Sequence, residues 1–535
     1  MCNVLKRVLV NIMLLILCTC ACAQEPKLTI DQGRFHEDGM WRFLKIAVLI
    51  GNFSRDAECD VIISRLPVYK AKNYNAIKLD CYWYNYDTKG DGTIGVSLAP
   101  FARLINAIAD AGLYPIVGAE TYAVGGGGLP RAFWESHPDA DAIDDQGNKV
   151  NDDEYGFNTR VVSIFSPAYR TASNNFVKNL IALLPHERIL YFEPTVEPQF
   201  MGSRKLCYSV HAKNAYNTWL EKNNLTAPLF PDTFPIPASF SNDATWNRFR
   251  AETVAEWINE YNDSFRSVAG KDKWVAVDYL ETGIDADMQN RIGNRTVYLE
   301  TLRDVDILQV NWHWSLIANE GRGASNMVAY DAVKALNRPW AISEHMTLNG
   351  YDFRDVSAGK DPTKDTKDIA AILRNTLTNG TRFGWEFVHA TFRDDPTPYT
   401  YTIFGDGKGD PFTIYNSDGS PKSFMAKVDD CWLDWENEIY VEPYIRKATV
   451  TLNPAESGGR TDIKPFTKTY TVNNAVLGKQ YLKVTAIPDS EFDFEHWEGI
   501  DDVAVQKNPN LDIQITKDMT VTPVFSSKKY TQIER

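Results

Sequence analysis

The chain of 535 residues has little positive charge, little cysteine and few long apolar segments. Its 56 lysine and arginine residues are outnumbered by 70 aspartate and glutamate residues, which gives a formal charge of −14. Because nucleic-acid binding relies on clustered positive charge against phosphates, this balance argues against a nucleic-acid partner. After the first 22 residues, no apolar run reaches the ~20 residues that a membrane-spanning helix needs.

Outside the first 22 residues, the cysteines are too few and too scattered to predict a metal site. Four of the eight cysteines fall within the first 22 residues, and the other four are Cys59, Cys81, Cys207 and Cys431. These four are widely separated and form no C-x-x-C pair, which argues against a structural zinc site. We expect buried free thiols, and neither a metal nor a cofactor is expected.

Residues 1–23 have the pattern of a secretory signal. Lys6 and Arg7 precede an apolar run over residues 8–18, and small residues follow up to residue 23. Residues 17–22 also resemble the lipobox of bacterial lipoproteins, in which a cysteine becomes the lipidated first residue. We therefore expect an exported bacterial protein of the periplasm, outer membrane or cell surface. An N-terminal lipid is its one expected means of membrane attachment.

Strand and helix patterns alternate from about residue 39 to residue 442. Eight apolar runs rich in strand-forming residues cover 43–50, 76–79, 114–117, 189–192, 274–277, 307–310, 340–342 and 383–388. Helical patterns cover residues 101–111, 168–184 and 246–261. Eight strands in β-α order predict an α/β fold, a (β/α)8 barrel, with a doubly wound open sheet as the alternative.

The pattern changes at about residue 443. Short alternating strands are predicted over residues 447–452, 467–472, 481–487, 511–515 and 520–525, with turn residues between them. We expect a polar lead at 24–38, the barrel domain at 39–442 and a small all-β domain at 443–535. In that last domain, Phe494, Trp497 and Gly499 resemble the F-x-x-W-x-G signature of a bacterial surface repeat, which implies a spacer or surface module.

Acidic residues follow the fourth and the seventh apolar runs. Glu197 comes after the fourth and Glu344 after the seventh, and catalytic groups of such barrels stand at the carboxyl ends of the strands. Cleavage of a glycosidic bond needs two carboxyl groups, an acid for the leaving oxygen and a base or nucleophile opposite it. Glu193 is the rival for the fourth-strand acid, but its place nearer the barrel interior favours a structural role.

Several motifs occur in a characteristic succession between residues 111 and 220. They lie at residues 111–114, 125–130, 133–138, 144–147, 163–170 and 207–220. Together they resemble clan A glycoside hydrolases, most closely the family 42 and family 35 β-galactosidases. The resemblance implies a retaining mechanism with Glu197 as the acid/base and Glu344 as the nucleophile. The resemblance also implies, by position, that the substrate is contacted by Glu120, Asn311, His313, Trp314 and Trp385.

Two residues depart from the pattern of the family. Val196 stands where the clan has an asparagine that contacts the sugar 2-hydroxyl, and Asn311 is a candidate replacement for that amide. Lys78 stands for an arginine of the second strand, whose bidentate contact a lysine does not reproduce. The expected substrate is an oligo- or polysaccharide. An endo-acting or inverting hydrolase on the same barrel, and a non-catalytic surface glycan-binding protein, remain open, as does the oligomeric state.

Overall fold

A computed structural model of the chain forms two compact units, residues 1–429 and 430–535. The structure describes residues 28–31, 34–37, 40–122, 128–152, 159–195, 198–200, 206–278, 291–303, 305–311, 340–344, 387–394, 415, 419–421, 425–426, 429–430, 432–433, 446–472, 480–500, 502–515 and 517–528.

The first unit is built around a closed barrel. In chain order its strands are β1 (Leu28–Asp31), β2 (Arg34–Glu37), β3 (Met40–Trp41), β4 (Leu44–Gly51), β5 (Ala76–Tyr82), β6 (Tyr114–Glu120), β7 (Asn151–Asp152), β8 (Thr159–Arg160), β9 (Tyr191–Glu193), β10 (Trp274–Asp278), β11 (Ile307–Asn311), β12 (Trp340–Glu344) and β13 (Phe387–Arg393). The barrel consists of β4, β5, β6, β9, β10, β11, β12 and β13, all parallel and closed in that order. The predicted (β/α)8 barrel is therefore confirmed, and the open sheet is excluded. The eighth strand ends at Arg393, five residues beyond the predicted end.

Helices surround the barrel strands. They are α1 (Asp56–Ala71), α2 (Ala99–Asp110), α3 (Arg131–Ser136), α4 (Pro167–Leu183), α5 (Val210–Asn223), α6 (Ala238–Ser241), α7 (Ala244–Ala269) and α8 (Arg295–Thr301). Local chemistry explains their starts: the Ser166 side chain accepts a hydrogen bond from the third residue of α4, and the Asp243 carboxylate accepts two from the first turn of α7. Among the described residues, no helix has the length and hydropathy required to cross a bilayer.

A three-stranded antiparallel sheet, β1–β2–β3, lies below the barrel. Its Leu28 and Phe35 share one apolar cluster with the first residues of the barrel strands, among them Leu44 and Ile307. The ring of Phe35 stacks on Trp274 with centroids 5.6 Å apart. β1 and β2 lie in the predicted lead, residues 24–38, and strands this short bring too few apolar residues to show a pattern in the sequence. This sheet closes the N-terminal end of the barrel.

The second unit is a small β structure, as predicted. Its elements are β14 (Arg446–Leu452), β15 (Gly459–Thr461), β16 (Phe466–Val472), β17 (Gln480–Pro488), β18 (Phe492–Glu498), α9 (Val503–Gln506), β19 (Asn510–Ile515) and β20 (Met519–Ser527). One sheet has the order β16-β14-β20-β18 and the other β15-β17-β19. The sequence prediction missed β15 and β18.

The F-x-x-W-x-G residues have structural roles in this second unit. Trp497 on β18 is buried in the core, and its Nε1 donates a hydrogen bond to the carbonyl oxygen of Asn508 at 2.9 Å. Gly499 has a φ of 89°, and a Cβ there would collide with the carbonyl oxygen of Thr520. Only glycine fits that position, so the motif is accounted for by packing and backbone conformation.

Candidate active site at the carboxyl ends of the barrel strands

Three of the residues predicted to form the site are the last residues of barrel strands. Glu120 is the last residue of β6, Asn311 the last of β11 and Glu344 the last of β12. Because all barrel strands are parallel, these residues lie at the same end of the barrel. The opposite end holds the apolar cluster of Leu28, Phe35, Leu44, Ile46 and Ile307, which we call the apolar floor. Asn311 and Glu344 are also register partners on adjacent strands.

The other four predicted site residues, Glu197, His313, Trp314 and Trp385, lie outside the described residues. The chain on both sides of Glu197 is described, however. β9 ends at Glu193, four residues before Glu197, and the description continues again from Pro198. The position of Glu197 in the chain is therefore just beyond the carboxyl end of the fourth barrel strand.

The segment that follows Glu197 is held by two arginines. Gln199 is buried and accepts a hydrogen bond from Nη1 of Arg291 at 2.9 Å, and the backbone N–H of Phe200 donates to the carbonyl oxygen of Arg291 at 2.7 Å. The guanidinium group of Arg250 lies 4.6 Å from the ring centroid of Phe200. Burial lowers the pKa of Arg250 to about 10, so this group is still a cation at neutral pH. These contacts fix the backbone immediately after Glu197.

The interior of the barrel holds a buried polar layer, which we call the Lys78 network. The Nζ of Lys78 on β5 lies 2.8 Å from Oε1 of Glu193 on β9 and 3.4 Å from Oδ2 of Asp80. Gln309 on β11 donates a hydrogen bond from Nε2 to the other carboxylate oxygen of Glu193 at 2.6 Å. Glu193 thus lies in a buried ion pair and hydrogen bond, which fits the structural role expected for it. The ammonium group of Lys78 is engaged inside the barrel and does not take the place of a substrate-binding arginine.

A glycine leaves room for this network. Gly118 on β6 is the register partner of Asp80 on one side and of Glu193 on the other. A Cβ at Gly118 would collide with the carboxylate of Asp80. The carboxylate of Asp80 therefore occupies space that a side chain at position 118 would fill.

An aromatic and amide group at the ends of the first two barrel strands was missed from the sequence. Tyr82 ends β5, and its ring lies 5.5 Å from the half-buried ring of Tyr84. Asn52, which follows β4, donates a hydrogen bond from Nδ2 to Oδ1 of Asn85 at 3.2 Å. Rings with polar groups beside them suit the apolar faces and hydroxyls of sugars. The signal was the aromatic run at residues 82–86, directly after the second strand.

Glu120 is buried at the end of β6. Its register partner on β5 is Tyr82, which places its backbone next to the aromatic group just described. The thiol of the neighbouring Cys81 has a pKa raised well above its usual range by burial, with the charges of Asp80 and Glu120 adding to the effect. Glu120 therefore contributes a buried carboxyl group at the end of β6.

The described residues offer no metal site. Within them, no group of three or more histidine, cysteine, aspartate or glutamate side chains is arranged to hold an ion. Cys59, Cys81 and Cys207 are buried free thiols, as predicted for these three, and Cys431 lies outside the described residues.

No protein-family model matches the chain, and no curated protein sequence matches it either. Solved structures do match. The cold-adapted β-galactosidase from Rahnella sp. R3 is 12% identical and aligns over 77% of this chain and 58% of its own, with a TM-score of 0.54. A catalytic mutant of Gan42B, a GH42 β-galactosidase from G. stearothermophilus, is 12% identical over 77% of this chain and 59% of its own, with a TM-score of 0.53.

These two comparisons concern the barrel fold. The chain spans less than two thirds of the length of either β-galactosidase structure. The predicted resemblance to family 42 glycoside hydrolases is confirmed at the level of the fold. What the barrel does in this chain has to be argued from its own residues.

Proposed function

We propose that this protein is a glycoside hydrolase that cleaves a β-glycosidic bond with retention of configuration. The observation that carries the proposal is the position of Glu344 at the end of the seventh barrel strand, on the rim toward which β9 also runs. β9 ends four residues before Glu197 in the sequence. β9 and β12 are three strands apart in the closed barrel, so their carboxyl ends stand on opposite sides of its mouth.

In the proposed mechanism the two glutamates act from opposite sides of the bond. The carboxylate of Glu344 attacks the anomeric carbon while the carboxylic acid of Glu197 protonates the leaving glycosidic oxygen. Glu197, now a carboxylate, then removes a proton from water, which attacks the anomeric carbon and releases Glu344. Retention requires the two carboxyl groups to be about 5–5.5 Å apart, whereas a separation of about 6.5–9.5 Å would fit the inverting alternative.

The proposed substrate is a β-linked oligo- or polysaccharide, with β-galactosides as the first to test. Support for galactose comes from the β-galactosidases that share the barrel fold. Val196 precedes Glu197 where the resembling family has an amide, and this departure argues for a wider panel of sugars. Analysis of products from a broad oligosaccharide set reports the sugar, the linkage and exo or endo action together.

The test of the carboxylate pair uses Glu197→Gln and Glu344→Gln, each of which keeps the side-chain shape and removes the charge. We expect either change to lower kcat/KM for a phenyl β-glycoside, whose leaving oxygen needs protonation, by roughly 10³-fold or more, with an unchanged unfolding midpoint. Glu187→Gln, at an exposed position before β9 and at the opposite end of the barrel, is the matched control and should retain wild-type kinetics.

Each alternative function predicts a different experimental outcome. Near wild-type activity of Glu344→Gln would exclude the proposed nucleophile. An initial product of inverted anomeric configuration, observed by proton NMR, would replace the retaining mechanism by the inverting one. Binding of glycans by the wild-type chain without any product would leave only the non-catalytic glycan-binding function.

We also propose that the protein is exported and carries an N-terminal lipid. The support is the signal pattern of residues 1–23 and the lipobox-like residues 17–22. Radiolabelled palmitate should enter the wild-type protein when it is expressed in a bacterium, and a chain without Cys18, Cys20 and Cys22 should not incorporate it. Labelling that survives in this triple variant would contradict the lipid.

A further inference from the structure

We propose that Lys78 is a positioning residue for the acid/base Glu197, acting through Glu193 at the end of β9. This inference rests on the proposed glycosidase function. It assigns a role to a buried ion pair that the proposed reaction does not itself use. The ion pair fixes the direction in which the chain leaves the fourth barrel strand, four residues before Glu197.

The fourth barrel strand has the weakest backbone anchoring in the barrel. β9 has three residues, whereas the other barrel strands have five to eight. It pairs with β6 at two register positions and with β10 at two. Because so few ladder hydrogen bonds hold its end, side chains have to fix the direction of the segment that follows.

The side chains of the Lys78 network supply this anchoring. Both carboxylate oxygens of Glu193 are used, one by Nζ of Lys78 at 2.8 Å and one by Nε2 of Gln309 at 2.6 Å. These partners come from β5 and β11, the second and sixth barrel strands, so Glu193 is held from two sides across the interior. An ion pair at one oxygen and a hydrogen bond at the other restrict the position of the Glu193 carboxylate.

The segment beyond Glu197 is anchored independently. Gln199 and Phe200 are tied to Arg291, as described above. In the sequence, Glu197 falls between two anchored residues, Glu193 four positions before it and Gln199 two positions after it. Removing the charge of Lys78 loosens the first anchor and leaves the second, so we expect an effect on alignment rather than on folding.

The barrel wall contains a matched control. Lys45 on β4 and Lys78 on β5 both have side chains that are 1% exposed, and each pairs with a carboxylate at 2.8 Å. Leu44 and Ile46, on either side of Lys45, belong to the apolar floor inside the barrel, so Lys45 faces the other way, and its partner is Asp429. Lys45→Met and Lys78→Met thus remove the same buried charge from the two faces of one wall.

The leaving group of the substrate separates a positioning role from a structural one. A phenyl glycoside needs protonation of its leaving oxygen, whereas a 2,4-dinitrophenyl glycoside departs without an acid. We expect Lys78→Met to lower kcat/KM roughly 10- to 100-fold on the phenyl substrate and less than about threefold on the dinitrophenyl substrate. Lys45→Met should change both by less than about threefold, when measured well below its unfolding temperature.

Glu193→Gln provides a second variant of nearly unchanged shape, should Lys78→Met not fold. It keeps an oxygen for Gln309 and loses the ion pair, so the same selective loss on the phenyl glycoside is expected. Equal losses on both substrates, or losses no larger than those of Lys45→Met, would overturn the positioning role while the glycosidase function stands. A wild-type chain that hydrolyses neither glycoside nor any oligosaccharide would overturn the proposed function itself, and this inference with it.

Discussion

At the N-terminal end of the barrel the interior is filled by Leu44, Ile46 and Ile307, whereas one layer further along the strands it is filled by Lys78, Glu193 and Gln309. Both layers are buried, and they share strands, since the apolar cluster also contains Ala76 of β5 and Tyr191 of β9. The first is sealed by an apolar sheet from the start of the chain. The second lies beneath the rim that carries Glu120, Asn311 and Glu344.

The two layers have different physical consequences: the apolar floor contributes to the stability of the fold, and the Lys78 network to the alignment of the residues above it. Apolar packing gains free energy in proportion to the area it removes from water, and it has little directional preference. A buried ion pair gains little net stability because desolvation offsets the attraction, but it fixes the direction of the groups that it joins. We therefore expect changes in the floor to alter stability alone, and changes in the Lys78 network to alter turnover as well.

The largest expected effect on stability is in the floor. Phe35 is buried against Trp274 and the first residues of the barrel strands, so Phe35→Ala removes a whole ring from a packed cluster. We expect it to lower the free energy of unfolding by about 3–5 kcal/mol, measured by urea titration. The kcat of the folded protein should be unchanged. The exposed Thr29→Ala on the adjoining strand should cost less than about 0.5 kcal/mol. A fall in kcat for Phe35→Ala would contradict the separation of the two layers.

The strands of the barrel could be predicted from the sequence because most of them are buried on both faces. β4 is an unbroken buried run, as parallel strands covered by helices are, and its predicted bounds differ from the observed ones by one residue at each end. The first helix, α1, was not predicted, since it contains Pro67 and has no clear apolar stripe. The sheet β1–β2–β3 was missed for a different reason, namely that its buried face consists of single residues whose partners lie on distant strands.

A smaller stability effect is expected in the polar layer. Gly118→Ala places a methyl group where the carboxylate of Asp80 lies, so we expect a loss of about 2 kcal/mol in the free energy of unfolding. Because Asp80 is a partner of Lys78, turnover of a phenyl glycoside should fall too. In an Asp80→Ala background the same substitution should cost less, since the clash is gone, and a double-mutant cycle measures this coupling. Additive losses would show that Gly118 serves some other contact.

The carboxylates at the strand ends could be proposed from the sequence, but the buried side chains beneath them could not. Glu197 and Glu344 follow apolar runs, and that local signal is visible in the chain. Lys78, Glu193 and Gln309 are separated by more than 100 residues from one to the next and meet only because the barrel closes. Lys78 lies within the apolar run 76–79, but that run does not show which carboxylate its ammonium group meets. The roles of all seven candidate site residues stay predictions, namely those of Glu120, Glu197, Asn311, His313, Trp314, Glu344 and Trp385.

The smallest expected effect is on the pH dependence of the free energy of unfolding. The apolar floor should not contribute to this dependence. Asp141, in the segment between β6 and α4, has a side chain that is 2% exposed and pairs with Lys149 at 2.6 Å and with Arg160 at 2.7 Å. Burial alone would raise its pKa, but hydrogen bonds from Arg160 and Lys149 hold the pKa below the ordinary value of 3.8. A carboxyl group with a lowered pKa in the folded state stabilises the protein above its unfolded pKa, and this contribution is lost as the pH falls through the folded pKa.

Asp141→Asn should therefore cost about 1.5 kcal/mol at pH 7 and progressively less below about pH 4. Urea titrations of the wild-type and variant chains at several pH values measure the difference, which should approach zero at the acid end because the wild-type carboxylate is then protonated too. Asp139→Asn, at an exposed position of the same segment, should cost less than about 0.5 kcal/mol at every pH. The loss caused by Phe35→Ala should not follow this pH dependence, since no charge is involved in that contact. A difference between Asp141→Asn and wild type that persisted unchanged into acid would mean that Asp141 stabilises the segment by shape, and the contrast between an apolar floor and a charged upper barrel would then lose its pH signature.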